Sequence, residues 1–168
     1  SVTVTGLGAG QGPDTGLATI VDDCTKTDDD RPTVSISDAG TIDEGSFATF
    51  TVSLSNASEA AVEVQLTLNL DETEVGDLGT LEYNTGSGWV SVPVSGIVTV
   101  PAGMTEFDLR IESIDDGVYE GPEDFSVTAT GLGAVQGSDT GLATIVDNSP
   151  PTARDFIISL DVQNGIFP

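Results

Sequence analysis

The sequence predicts an all-β chain: an immunoglobulin-like antiparallel β-sandwich occurring as a tandem repeat. Three observations predict it. Apolar and polar residues alternate with a period of two through Phe47–Leu54, Val62–Leu70 and Thr105–Ile111, which turns every second side chain toward a buried face. Clusters of glycine, proline, serine and Asx residues break these runs at short intervals, and no stretch carries a convincing 3.6-residue period. Finally, one block of 23 residues occurs twice.

That block reads SVTVTGLGAGQGPDTGLATIVDD over residues 1–23 and SVTATGLGAVQGSDTGLATIVDN over residues 126–148. At this offset of 125 residues only four of 23 positions differ, namely Val4/Ala129, Gly10/Val135, Pro13/Ser138 and Asp23/Asn148. Residues 1–23 therefore read as the C-terminal strands of a preceding repeat, and residues 24–31 as a polar, charged linker. Residues 32–148 make one complete module, and residues 149–168 start a following unit after Ser149-Pro150-Pro151. The chain opens mid-pattern, as a piece of a longer protein does.

Within the complete module the strands are expected in this order. Thr33–Ser37 alternates and runs into a turn at Asp38-Ala39-Gly40. Phe47–Leu54 places Phe50, Val52 and Leu54 on one face, and Val62–Leu70 repeats the pattern over nine residues. After a Gly/Asp-rich segment come Thr80–Tyr83 and a turn at Asn84–Gly88. Trp89–Val94 and Gly96–Val100 read as short edge strands, because Pro93 has no N–H for a central ladder. Thr105–Ile111, Phe125–Thr130 and Leu142–Val146 complete the sandwich of seven to nine strands. Phe47, Phe50, Phe107, Tyr119 and Phe125 are expected in the core, and Trp89, just after a Gly/Ser turn, is the aromatic best placed to be exposed. Gly6–Gly10 and Gly131–Ala134 look like phosphate-binding loops, but no helix follows either, so they read as hairpin turns. Asn56-Ala57-Ser58 matches a glycosylation acceptor, a frequent chance match.

Composition narrows the function classes. Lys+Arg is 4 against Asp+Glu 28 in 168 residues, a formal net charge of -24. Such a surface repels phosphates, so nucleic acid and anionic membranes are not expected as partners. A hydrophobic fraction of 38% with clear alternation argues for a fold rather than disorder. There is no histidine and a single cysteine, Cys24, which removes Ser–His–Asp triads, thiolate–imidazole pairs and Cys/His zinc sites. No apolar run reaches spanning length, so direct membrane insertion is not expected. Near-absence of cysteine fits a bacterial surface protein stabilised without disulfides and equally a cytoplasmic protein.

The acidic residues have a pattern of their own. Asp115-Asp116-Gly117-Val118-Tyr119-Glu120-Gly121-Pro122-Glu123-Asp124-Phe125 holds five carboxylates and no lysine or arginine. Oxygen ligands crowded on a flexible loop suit Ca²⁺, a hard ion that takes six to eight of them. If consecutive strands reverse direction, Glu44, the Asp71–Asp77 segment, Asp115 and Asp147 all converge on one end of the sandwich, at the junction with the next module. A pair such as Glu120 and Glu123 suits a glycosidase only beside a sugar-binding cleft, which a congested loop does not supply. No enzymatic activity is expected.

Glu44-Gly45 before a strand, Asp115-Asp116-x-x-Tyr119-Glu120-x-x-Glu123-x-Phe125 between strands, and the closing Ala143-Thr144-Ile145-Val146-Asp147 resemble a Calx-β domain. The resemblance covers nearly all of residues 32–148, and residues 1–23 match the end of a second copy. It implies an immunoglobulin-like sandwich binding Ca²⁺ at one end, with ligands at Glu44, Asp115, Asp116, Glu120, Glu123 and Asp147. It further implies an acid from the loop after the third strand, for which Asp77 is preferred over Asp71. Asp22 and Asp23 would be the corresponding closing acids of the preceding copy, and Asp28–Asp30 would either add ligands between modules or stay solvated. Gly117 and Asn148 stand where metal-rich members carry further acids, which implies one or two ions rather than four. The acidic, cysteine-poor, near-identical copies are more similar to repeats of large repeats-in-toxin-type bacterial adhesins than to exchangers.

The expected function is a Ca²⁺-binding extender module of a secreted bacterial adhesin or cell-surface fibre, with neighbouring repeats as its partners. Two alternatives stand beside it. One is a fibre subunit that assembles with other subunits by strand addition through its terminal strands. The other is an adhesive module that binds glycan or peptide.

Overall fold

The computed structural model describes residues 2–4, 14–16 and 30–148. The chain divides into two compact units, residues 1–30 and 31–168. In the first, β1 (Val2–Val4) pairs antiparallel with β2 (Asp14–Gly16), Val2 lying opposite Gly16 and Val4 opposite Asp14. Among the described residues no helix is long and apolar enough to cross a membrane.

The second unit is built from β3 (Val34–Ile36), β4 (Gly40–Asp43), β5 (Phe47–Leu54), β6 (Val62–Asn69), β7 (Glu82–Asn84), β8 (Val90–Ser91), β9 (Ile97–Val100), β10 (Glu106–Glu112), β11 (Glu123–Leu132) and β12 (Ser138–Val146). They form two five-stranded sheets, in the orders β3-β5-β10-β7-β8 and β4-β12-β11-β6-β9. Neighbouring strands run antiparallel except β4 and β12, which are parallel from Gly40 beside Ala143 to Asp43 beside Val146. As the alternation predicts, the two sheets form an all-β sandwich.

Period-two patterning decides what is inside. β5 buries Ala48, Phe50, Val52 and Leu54, and its neighbour β10 buries Phe107, Leu109 and Ile111. The other sheet contributes Val62, Val64, Leu66, Phe125, Val127, Ala129, Ala143 and Ile145 to the same core. Phe50 and Phe125 meet edge to face with ring centroids 6.2 Å apart. Gly141 of β12 is enforced by this packing, since a Cβ there would strike the Ser37 carbonyl oxygen.

Several expectations are corrected in detail. Gly40 does not close a turn but opens β4; in this strand only Ile42 is partly buried, so it has no alternation to betray it. Phe47 and Tyr119, expected inside, are 44% and 48% exposed. Phe47 sits in the outward phase of β5, and Tyr119 lies in the loop before β11. Trp89, expected outside, is half-buried. The Arg110 guanidinium lies 4.3 Å from the Trp89 ring centre and 4.6 Å from that of Phe47, while its Nε donates to Glu82 Oε2 at 2.8 Å. An outward arginine thus covers two aromatic rings that the core does not.

Candidate metal centre

Three loops and the end of β12 meet at one end of the sandwich. Ser113, 1% exposed, ties two of them: its Oγ donates to Ser46 O (3.1 Å) and Asp43 O (3.3 Å), and Ser113 N donates to Ser46 O at 2.9 Å. This fixes the turn after β4, which carries Glu44, against the end of β10, where the Asp115–Glu120 loop begins. The loop after β6 is held on both sides. Glu72 N and Thr73 Oγ1 donate to Asp124 O of β11 at 3.0 Å, and Ile114 N donates to Asp77 O at 2.7 Å. Within it, Glu74 N donates to Asp77 Oδ2 at 2.8 Å, a tight turn that leaves Asp77 only 8% exposed.

The carboxylates converge as a result. Oxygens of Asp77, Glu120 and Glu123 all lie within 4.8 Å of one another. Glu120 N donates to Asp147 Oδ2 at 2.5 Å, which draws the end of β12 to the same loop. Asp115 and Asp116 accept from Gly117 N (3.2 Å) and Val118 N (2.8 Å), so the loop folds around its own acids. Gly117 makes this possible with φ of 75°, a left-handed conformation that glycine adopts without steric cost. Glu44 is 7% exposed, and its Oε2 is buried with no hydrogen-bond partner.

Like charges this close oppose ionisation. Burial, then Asp147, Asp115, Asp116 and Glu120, push the Glu44 carboxyl up from 4.5 to about 7. Burial also raises Glu120, helped by Asp77, Asp116, Glu74 and Asp147. Glu123 is raised by burial and by Glu120, Asp77, Glu74 and Glu72. Three glutamates that resist shedding their protons, one of them with a buried unsatisfied oxygen, fit a hard multivalent cation. The donors are all oxygens, and the chain has no histidine with which to bind softer metals.

The structure therefore brings together seven residues singled out from sequence: Glu44, Asp77, Asp115, Asp116, Glu120, Glu123 and Asp147. Asp71 is held elsewhere; at φ of 50° its Oδ2 accepts from Ser126 Oγ at 2.7 Å. Asp22, Asp23, Asp28 and Asp29 lie outside the described residues. Sequence reasoning missed Glu74, whose charge bears on both Glu120 and Glu123. Its signals were its place in the converging Asp71–Asp77 segment and its position three residues before Asp77, the span of one turn. Asn148, noted only as a missing acid, donates through Nδ2 to Glu44 O at 3.0 Å.

No family model matches the sequence, and no curated protein matches it. Solved structures do. CBD12 from CALX1.2 aligns over 68% of this chain and 43% of its own, at 19% identity and a TM-score of 0.50. The calcium binding domain CBD12 of CALX1.1 aligns over 68% and 44%, at 15% identity and a TM-score of 0.47. The apo-form Calx CBD1 domain aligns over 69% of this chain and 98% of its own, at 18% identity and a TM-score of 0.44. The chain thus spans less than half the length of the two CBD12 structures. The likeness is one of fold: this chain carries a Calx-β-like sandwich.

Proposed function

We propose that the acidic end of the sandwich binds Ca²⁺ and that the chain is an extender segment of a long, secreted bacterial adhesin or cell-surface fibre. The observation that carries the metal reading is the buried, unpartnered Oε2 of Glu44 within reach of the charges of Asp115, Asp116, Glu120 and Asp147. Glu44, Asp77, Asp115, Asp116, Glu120, Glu123 and Asp147 would hold the ion or ions, with Glu74 beside them. When bound, Ca²⁺ supplies the positive charge that offsets carboxylate repulsion. The residues themselves do the rest. Glu120 joins the Asp77 side of the cluster to the Asp147 side, and Asp147 and Asn148 carry the constraint onto the chain leaving β12. Ordering them stiffens the junction with the following unit, and binding to the folded form alone raises stability by linkage. The role is structural rather than catalytic. Support for the extender reading comes from the near-identical copies, the net charge of -24 and the single cysteine.

Thermal unfolding in Ca²⁺, in Mg²⁺ and in chelator tests the metal reading, with Glu120→Ala alongside. A Ca²⁺-specific rise in midpoint that shrinks in the variant is expected, and a midpoint indifferent to Ca²⁺ refutes the site. Small-angle scattering of the whole chain tests the stiffening: profiles unchanged by chelator would rule it out.

A further inference from the structure

Two copies of one closing hairpin stand in this chain, and the places where they differ are informative. Ala129 has no exposed surface, and Val135 is 3% exposed and packed so tightly over Gly131 that a Cβ there would collide with it. Asn148 donates to the Glu44 carbonyl. Ala129 and Val135 also belong to the buried core that the hairpin shares with the other strands, so three of the four differing positions bear on the rest of the module. The first copy has Val4, Gly10 and Asp23 at these positions. The fourth, Ser138, is exposed and shares a 2.9 Å hydroxyl contact with Thr130.

Everything the hairpin needs for its own geometry is kept. Gly6 and Gly16 stand where Gly131 and Gly141 admit no side chain. The pairing of Val2 with Gly16 and of Val4 with Asp14 repeats that of Val127 with Gly141 and of Ala129 with Asp139. What differs is fit to the slot between β4 and β6, which β11 and β12 fill. Valine for Ala129 adds two methyl groups at a fully buried position, and glycine for Val135 removes a buried side chain. Aspartate for Asn148 puts an acceptor where Glu44 O requires a donor.

We infer that Ala129, Val135 and Asn148 make this slot accept its own closing hairpin and reject the near-identical hairpin of residues 1–23, from the same chain or from a second copy. Near-identical repeats otherwise exchange such elements during folding, which yields swapped dimers and misassembled arrays.

A cysteine trap in the full chain tests this. With Cys24→Ser as background, Thr67→Cys is placed in β6 opposite position 128. Thr128→Cys and its equivalent in the first copy, Thr3→Cys, then compete for it during oxidative refolding. Peptide mapping gives the ratio of the 67–128 to the 67–3 disulfide, and gel filtration separates links made between copies. With the natural hairpins the ratio should exceed about tenfold. Adding Val4→Ala, Gly10→Val and Asp23→Asn alters only the first copy, so the module still folds, and the ratio should fall by at least about fivefold. The preference that remains belongs to Glu123, Asp124 and Phe125, which open β11 ahead of the shared block. A ratio unmoved by those three changes overturns the inference, as does a ratio near unity with the natural hairpins.

Discussion

Removing metal should make this protein less stable as pH rises, and adding Ca²⁺ should reverse that trend. Glu44 carries the reasoning. Its carboxyl sits at about 7 in the folded protein against an ordinary 4.5, raised by burial and then by Asp147, Asp115, Asp116 and Glu120. The folded state therefore holds a proton that the unfolded chain has released. Its stabilising effect is complete below pH 4.5 and is lost as pH rises through 7. Full conversion of the shift gives about 3 kcal/mol. The cluster opens to solvent, which screens part of this, leaving about 1–2 kcal/mol, or roughly 5 °C in midpoint for a module of this size. Glu120 and Glu123 are raised as well and add in the same direction. With Ca²⁺ present the ionised carboxylates become ligands, so the gain from metal grows with pH. The assay is thermal unfolding of metal-free and Ca²⁺-loaded protein between pH 5 and pH 8, repeated with Glu44→Gln. Glutamine is neutral throughout, so the metal-free fall should shrink and much of the Ca²⁺ gain should vanish. A metal-free midpoint that stays level or climbs over this range would refute the reasoning, as would a Glu44→Gln variant that falls as steeply as the natural protein.

Other substitutions probe the supports of the site and the sheets. Ser113→Ala removes a buried hydroxyl bonded to Asp43 O and Ser46 O. Chemical denaturation should show a loss of about 1–2 kcal/mol, and calorimetry a weaker Ca²⁺ affinity although no carboxylate has been touched. Arg110→Ala uncovers Phe47 and Trp89 and breaks the bond to Glu82. A loss of about 1–2 kcal/mol and a red-shifted emission from the single tryptophan are expected, with Arg110→Lys recovering less than half. Gly141→Ala drives a methyl into the Ser37 carbonyl, and denaturation should register a cost of at least about 2 kcal/mol.

Much of the fold was legible because one face of each long strand is buried. Phe50, Val52 and Leu54 could be placed together from spacing alone, since a period of two leaves no other face for them. The same rule sends Phe47 outward, and it lies there because Arg110 of the neighbouring strand covers it. No pattern within one strand reveals a partner supplied by another. β4 was missed for a related reason: it is held by the backbone of β12 more than by its own apolar residues. At the acidic end, charge and strand direction together drew Glu44, the Asp71–Asp77 segment, Asp115 and Asp147 to one place, because antiparallel neighbours bring alternate loops to one end. The choice of Asp77, Asp116, Glu120 and Glu123 came from the resemblance. Glu74 escaped because its part depends on how one loop folds back on itself. The pin at Ser113 escaped because a buried hydroxyl has no sequence signature.

The parallel pairing of β4 and β12 has a mechanical meaning in any protein that carries load along its chain. Once β3 has been drawn off β5, tension applied at residues 32 and 148 draws β4 and β12 past each other in opposite senses. The ladder from Gly40 to Asp43 is then sheared as a block, with its bonds strained together, instead of being opened like a zip from one end. Glu44 N to Val146 O and Asn148 Nδ2 to Glu44 O extend that block by two further links at the acidic end. Resistance to pulling is set by the rate of crossing the unfolding barrier rather than by equilibrium stability. A cation gathered by Glu44 and Asp147 would sit at the last rung of the strained ladder, so ambient Ca²⁺ would govern the force at which the module gives way.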